Sequence, residues 1–297
     1  MNSNIGIGSD EFMAANKLTI LVTGAGGQLG RELIRLPVCP ELEIVGFDRK
    51  QLDVTDLAQC RSVFRSRRPD AVIHCAAYTK VDQAELEPNE AYRINAFGTR
   101  NAVVAAEEIG AKFVYISTDY VFDGKGTRPY REYDPTNPQT VYGRSKLAGE
   151  QLTQTLSSKY FIVRTSWVYG RYGNNFVKTM LKLAEEQDTL KVVNDQAGSP
   201  TYAQDLAKFL LDLVRTDYYG IYHASNAGIC TWYEFAKAIF EERGVDVRVE
   251  PCTTEDFPRP APRPAYSALD HGSIRAQGFR PFRPWRDALR DYLRNSD

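Results

Sequence analysis

From residue 17 onward the chain alternates short apolar, β-branched runs with stretches of helical period. Residues 17–23 (KLTILVT), 43–47 (EIVGF), 71–77 (AVIHCAA), 112–117 (KFVYIS) and 160–165 (YFIVRT) read as strands. Between them, 30–36, 57–67, 89–109 (whole or broken) and a segment starting near Tyr142 carry helical spacing. Near-continuous apolar runs mark strands buried on both faces, and their alternation with helices implies right-handed crossovers. The pattern predicts a Rossmann-like, doubly wound α/β fold on a parallel sheet.

Beyond residue 167 the rhythm loosens. Helices are expected at 175–186, 205–215 and 231–242, and strands at 191–193 and 220–223. Four prolines in 256–264 (DFPRPAPRP) exclude helix and sheet interior there. That segment reads as an ordered loop, because 279–293 regains helical spacing through Trp285, Leu289, Tyr292 and Leu293. The expected organisation is a dinucleotide-binding domain over 17–166, with 190–222 adding to its sheet. A smaller C-terminal α/β part (167–189 and 223–297) would cap the strand ends, where open α/β sheets bind ligands. Residues 1–16 read as a disordered leader.

Composition narrows the chemistry. With 37 Lys+Arg against 38 Asp+Glu the net charge is −1, which gives no footprint for nucleic acid or anionic lipid. No apolar run approaches a membrane span. Five cysteines without a CxxC argue against a disulfide framework and fit a reducing cytoplasm. Three histidines leave little room for a His-based metal site, and no metal is expected.

Between the first strand and first helix lies TGAGGQLG (23–30), which places Gly24, Gly27 and Gly30 in a GxxGxxG spacing. Glycines there let the backbone approach a pyrophosphate, and the following helix N-terminus supplies N–H groups. Asp48 closes the second strand, where a carboxylate would accept from the adenosine ribose hydroxyls; this favours NADH. Arg49 and Lys50 follow and could hold a 2′-phosphate, which keeps NADPH open. Asp53 and Val54 could meet the adenine edge, whereas Asp56 reads as a helix N-cap. The sharpest signal is Tyr142-Gly-Arg-Ser-Lys146 behind a strand ending at Thr118. Tyr and Lys four apart share a helix face. A phenol titrates near 10, so proton transfer near neutrality calls for a neighbouring ammonium to stabilise its anion. His74, inside an apolar strand, reads as a core histidine, and Asp195 and Asp205 as organisers of loops or caps.

These motifs, with AAYTKVDQAE (76–85), INAFGT (94–99), STDYVFDG (117–124), RTSWVYG (164–170), NDQAGSPTYAQDLA (194–207) and RPAYSAL (263–269), resemble the extended short-chain dehydrogenase/reductase family. Within it they are most similar to the dTDP-4-dehydrorhamnose reductases. The resemblance implies reduction of a C4 keto group on a dTDP-sugar by NADPH or NADH, with Thr118, Tyr142 and Lys146 as the catalytic set. It places the cofactor across Gly27, Gln28 and Leu29, with Ala76, Ala77 and Tyr78 behind its ribose and pyrophosphate. It turns Thr118, Asp119, Tyr120 and Trp167 toward the sugar, and Asn175, Arg263 and Ser267 toward the nucleotide end. Tyr266 departs from the family's small polar residue. A homodimer, and a structural Mg at its interface, stay open. So do an epimerase and a non-catalytic regulatory subunit resembling the methionine adenosyltransferase beta subunit.

Overall fold

The computed structural model describes residues 17–295; the leader expected over 1–16 lies outside the described residues. The first half builds β1 (Leu18–Thr23), α1 (Gln28–Arg35), β2 (Leu42–Phe47), α2 (Leu57–Arg67) and β3 (Ala71–His74). Then follow α3 (Val81–Leu86), α4 (Pro88–Tyr92), a π-helical turn (Arg93–Gly98), α5 (Thr99–Glu107), β4 (Lys112–Thr118), α6 (Val141–Leu156) and β5 (Tyr160–Thr165). The second half adds β6 (Val168–Tyr169), α7 (Phe176–Glu186), β7 (Thr189–Val193), β8 (Ala197–Gly198), β9 (Thr201–Tyr202) and α8 (Ala203–Leu213). It closes with β10 (Gly220–His223), β11 (Cys230–Thr231), α9 (Trp232–Arg243), β12 (Arg248–Cys252), α10 (Gly272–Ala276) and α11 (Trp285–Arg294). No helix among the described residues is long and apolar enough to cross a membrane.

The main sheet has six parallel strands in the order β10-β5-β4-β3-β1-β2. Alternate side chains of each strand feed opposite faces. Ile20 and Val22 of β1 join Leu29 and Leu33 of α1 and Leu206 and Leu210 of α8. Leu21 joins Phe64 of α2 and Val103 and Ala106 of α5 on the other face. Each fully buried Ile, Leu, Val or Phe side chain among these contributes about 1.5–3 kcal/mol of transfer free energy. Strand order reverses between β1 and β3, so a crevice opens at the C-terminal ends of β1, β3 and β4.

Several expectations move. Helix α1 starts at Gln28 rather than 30, and β3 stops at His74 rather than 77. The helix expected over 89–109 is three segments: Asn95 lies in the π turn, and its carbonyl accepts from the Thr99 hydroxyl (2.7 Å). Its amide side chain holds the backbone N–H and C=O of Tyr78. Within 190–222, β10 extends the main sheet, but β7 pairs with β12 instead. Leu190 and Val192 of β7 are buried in a second core that includes Phe235 and Ile239 of α9 and Tyr292 of α11.

His74 is buried, with Nδ1 2.8 Å from Thr23 Oγ1 and Nε2 3.3 Å from Thr99 Oγ1. His223 is buried against the Tyr130 carbonyl. Burial pushes both imidazoles down to about 3. The unfolded chain therefore binds more protons below the free-histidine pKa of about 6.5. Their stability contribution is complete above that pH and is lost as pH falls toward about 3. Denaturation midpoints should drop from roughly pH 7 to pH 5, the two histidines outweighing the one carboxyl, Asp119, that burial raises to about 6 and that acts in the opposite sense there, and His74→Asn should flatten the slope. A flat profile in the parent protein over that interval would contradict this.

Candidate active site

The crevice is a cleft of about 1040 Å³ walled by the glycine turn, the ends of β3 and β4, α6 and the C-terminal part. Gly24 has φ +66°, and a Cβ there would lie 2.6 Å from the Ala76 nitrogen, so the first turn accepts only glycine. Gly27 is the N-cap of α1 and offers no side-chain cap. The first intrahelical bond runs from Arg31 N–H to Gly27 O, which leaves the N–H groups of Gln28, Leu29 and Gly30 ahead of it at the cleft wall. A bare helix N-terminus behind a glycine cradle fits a dinucleotide pyrophosphate.

Thr118 ends β4, and Tyr142 and Lys146 lie one turn apart on α6, all three lining the cleft. Helix α6 starts where it does because the Thr140 hydroxyl accepts from Gly143 N–H. Lys146 Nζ donates to the Ile116 carbonyl (2.7 Å) and sits 4.1 Å from the Tyr115 ring centroid. Burial raises the Tyr142 phenol to about 12, against the hydrogen bond of the Thr118 hydroxyl. Burial also brings the Lys146 ammonium down to about 7, opposed by Glu150 and Cys75. The expected depression of the phenol by its lysine is absent here; desolvation dominates, and the phenol stays loaded with its proton.

The sugar-facing candidates gather close by. Thr118 Oγ1 donates to Asp119 Oδ1 (2.9 Å). Burial raises Asp119 to about 6, against the Ser267 and Thr118 hydroxyls. Asp119 Oδ2 and Ser267 Oγ are both buried without a well-formed hydrogen bond. Tyr120 meets Tyr142 edge-on, with ring centroids 5.5 Å apart. Trp167 has φ +49° and stacks on Trp232 at 3.5 Å. A non-glycine residue held there is a local strain that the aromatic stack offsets.

Other expected contacts already have structural partners. Asp48 Oδ1 accepts from the Lys50 and Gln51 N–H groups, and its Cβ would lie 3.4 Å from a Cβ on Gly26. Arg49 and Lys50 are exposed. Asp53 accepts from the Thr55 N–H and hydroxyl, which holds its carboxyl below the usual range, and Asp56 caps α2. Val54 is buried core rather than cleft wall, because its side chain packs on Gly98. Ala77 lines the cleft, whereas Ala76 packs behind Gly24 and the Tyr78 hydroxyl donates to Glu87. Asn175 N-caps α7 and donates to Gln28 Oε1 (3.1 Å), which braces the glycine turn. The Arg263 guanidinium is held by Asp82 at 2.7 Å at the cleft edge. Asp195 and Asp205 hold Thr254 and Arg283.

Sequence reasoning missed the wall opposite α6, formed by Phe176, Met180, Val192 and Trp232, and the Asp82 partner of Arg263. Only the acidic residue inside VDQAE hinted at the latter. Among the described residues no cluster of three or more His, Cys, Asp or Glu could hold a metal ion.

The family model of the RmlD substrate binding domain matches residues 18–297. The chain belongs to that family. It is 51% identical to the spore coat polysaccharide biosynthesis protein SpsK of Bacillus subtilis, over 92% of this chain and 96% of that one. It is 46% identical to a dTDP-4-dehydrorhamnose reductase of Streptomyces griseus, over 91% of each. The crystal structure of a dTDP-4-dehydrorhamnose reductase from Bacillus anthracis in complex with NADP superposes with a TM-score of 0.92 at 49% identity. That match covers 93% of this chain and 99% of that one.

Proposed function

We propose that this chain is an NADPH-dependent reductase that converts the C4 keto group of dTDP-4-dehydro-L-rhamnose to the hydroxyl of dTDP-L-rhamnose. The observation that carries the reading is the meeting of Thr118, Tyr142 and Lys146 with the Gly24–Gly30 turn in one cleft. Gly24, Gly27 and the first-turn N–H groups of α1 would hold the pyrophosphate of the dinucleotide. Asp48, with Arg49 and Lys50, would hold its adenosine end. When bound, the nicotinamide supplies the hydride for the keto carbon.

The protein's own part is proton delivery. The Tyr142 phenol, protonated through the neutral range, donates to the oxygen as it gains charge. Lys146 then faces the phenolate with its ammonium group. The Thr118 hydroxyl turns from Asp119 to the same oxygen, and Asp119, Tyr120 and Trp167 orient the ring. Arg263, held ready by Asp82, pairs with the diphosphate as substrate enters. The cytoplasm, where five free cysteines stay reduced, is the compartment we assign.

The test follows reduced nicotinamide by absorbance, with the keto-sugar generated in situ and NADPH and NADH run in parallel. Sugar-dependent consumption is expected. Cofactor binding without consumption would favour a regulatory subunit and overturn the reading. In the same assay, Asp48→Ala should shift the NADPH:NADH preference toward NADPH by about tenfold, the worth of a hydrogen bond to a charged acceptor. An unchanged ratio would mean that Asp48 serves only its turn.

A further inference from the structure

We infer that Glu150, in a buried ion pair with Arg164, is a positioning residue that sets the place and charge of Lys146 and braces the strand end bearing Thr118. The inference rests on the reading of Lys146 given above. Tyr142, Lys146 and Glu150 follow one another at four-residue spacing along α6, on one face of the helix. Glu150 and Arg164 are 2% and 4% exposed. Glu150 Oε1 accepts from Ser117 Oγ (2.5 Å) and Arg164 Nε (2.9 Å), and Oε2 accepts from Arg164 Nη2 (2.7 Å). Arg164 Nη1 donates to the Glu132 carbonyl and lies 3.4 Å from His223 Nε2. Its guanidinium covers the Phe122 ring.

A buried ion pair is weak support for stability, since apolar side chains of like size often serve as well. Its place argues for another use. Ser117, anchored by Glu150, stands between Ile116, whose carbonyl receives Lys146 Nζ, and Thr118. One carboxylate thus fixes the strand segment to which both catalytic groups are attached.

The charge matters as well. The titratable groups around Lys146 are Tyr142 and Glu150 on its own helix, His74 and Cys75 at the end of β3, and Tyr115 on β4. Asp119 faces Tyr142, and Arg164 on β5 is reached through Glu150. Burial keeps the imidazole neutral, pushes the Cys75 thiol up to about 12 and raises the Tyr115 phenol well above its ordinary value. The Glu150 carboxylate is then the anion that opposes loss of the Lys146 proton.

The test compares the parent protein with Glu150→Gln and Ser117→Ala. It records kcat/KM against pH and titrates Lys146 by NMR of ¹³Cε-labelled lysine, assigned with Lys146→Arg. Glu150→Gln should move both the Lys146 titration and the alkaline limb of kcat/KM down by about one pH unit, the low end for one opposite charge. Ser117→Ala, which keeps the charge, should leave the titration in place. If Glu150→Gln fails to fold because Arg164 is left buried and unpaired, Glu150→Gln/Arg164→Met is measured instead; its Lys146 titration should move in the same direction but by less, because the Arg164 cation is removed with the Glu150 anion. A folded variant whose Lys146 titrates at the parent pH would overturn the proposal. Failure of the catalytic reading shows separately, as parental rates in Lys146→Ala, while the NMR titration still reports on Glu150.

Discussion

Tyr142→Phe should lower kcat by about 10²–10⁴-fold, the usual worth of a placed general acid, while leaving NADPH affinity nearly unchanged. Only the hydroxyl is removed; the ring keeps its edge-on contact with Tyr120 and its place on α6. Burial holds this phenol near 12, so the variant loses a proton that the parent protein carries throughout the neutral range. Steady-state rates on the keto-sugar, with cofactor binding followed by nicotinamide fluorescence, check both halves. Near-parental turnover would remove Tyr142 as the donor.

Lys146→Ala should cost about 10²–10³-fold in kcat/KM, in the range for removing one electrostatic stabiliser, and should weaken NADPH binding too. The substitution also strips a donor from the Ile116 carbonyl and a cation from the Tyr115 ring. Lys146→Met, which keeps more of the volume, separates packing from charge. The pH dependence carries a definite sign. The ammonium is the working form, and burial has brought it down to about 7, so kcat/KM of the parent protein should fall as pH rises through about 7. That limb should vanish in Lys146→Ala. A variant that keeps it would place the titration elsewhere.

The main sheet was legible because parallel strands buried on both faces leave continuous apolar runs, and 17–23, 112–117 and 160–165 are such runs. The catalytic pair was legible for a local reason: a spacing of four puts two side chains on one helix face. The two-residue strands β6, β8, β9 and β11 were not, since they are too short to show a period. Nor was the π turn at 93–98, whose cause is Asn95 holding the distant Tyr78 backbone. The Asp82–Arg263 and Trp167–Trp232 contacts join segments far apart in sequence, and only tertiary packing reveals them. The structural partners of Val54 and Asn175 were not legible either, for a related reason. Each stands beside the cleft in sequence but is taken up by a nearer structural partner.

In this cleft the bound nicotinamide would supply hydride to a sugar carbon and Tyr142 the proton to its oxygen. The most direct measurement supplies NADPH deuterated at the transferable C4 position and reads the sugar product by NMR. Deuterium is expected at C4 of dTDP-L-rhamnose with the parent protein and almost none with Tyr142→Phe over the same time. Product without label at that carbon, or labelled product from Tyr142→Phe at the parental rate, would contradict it.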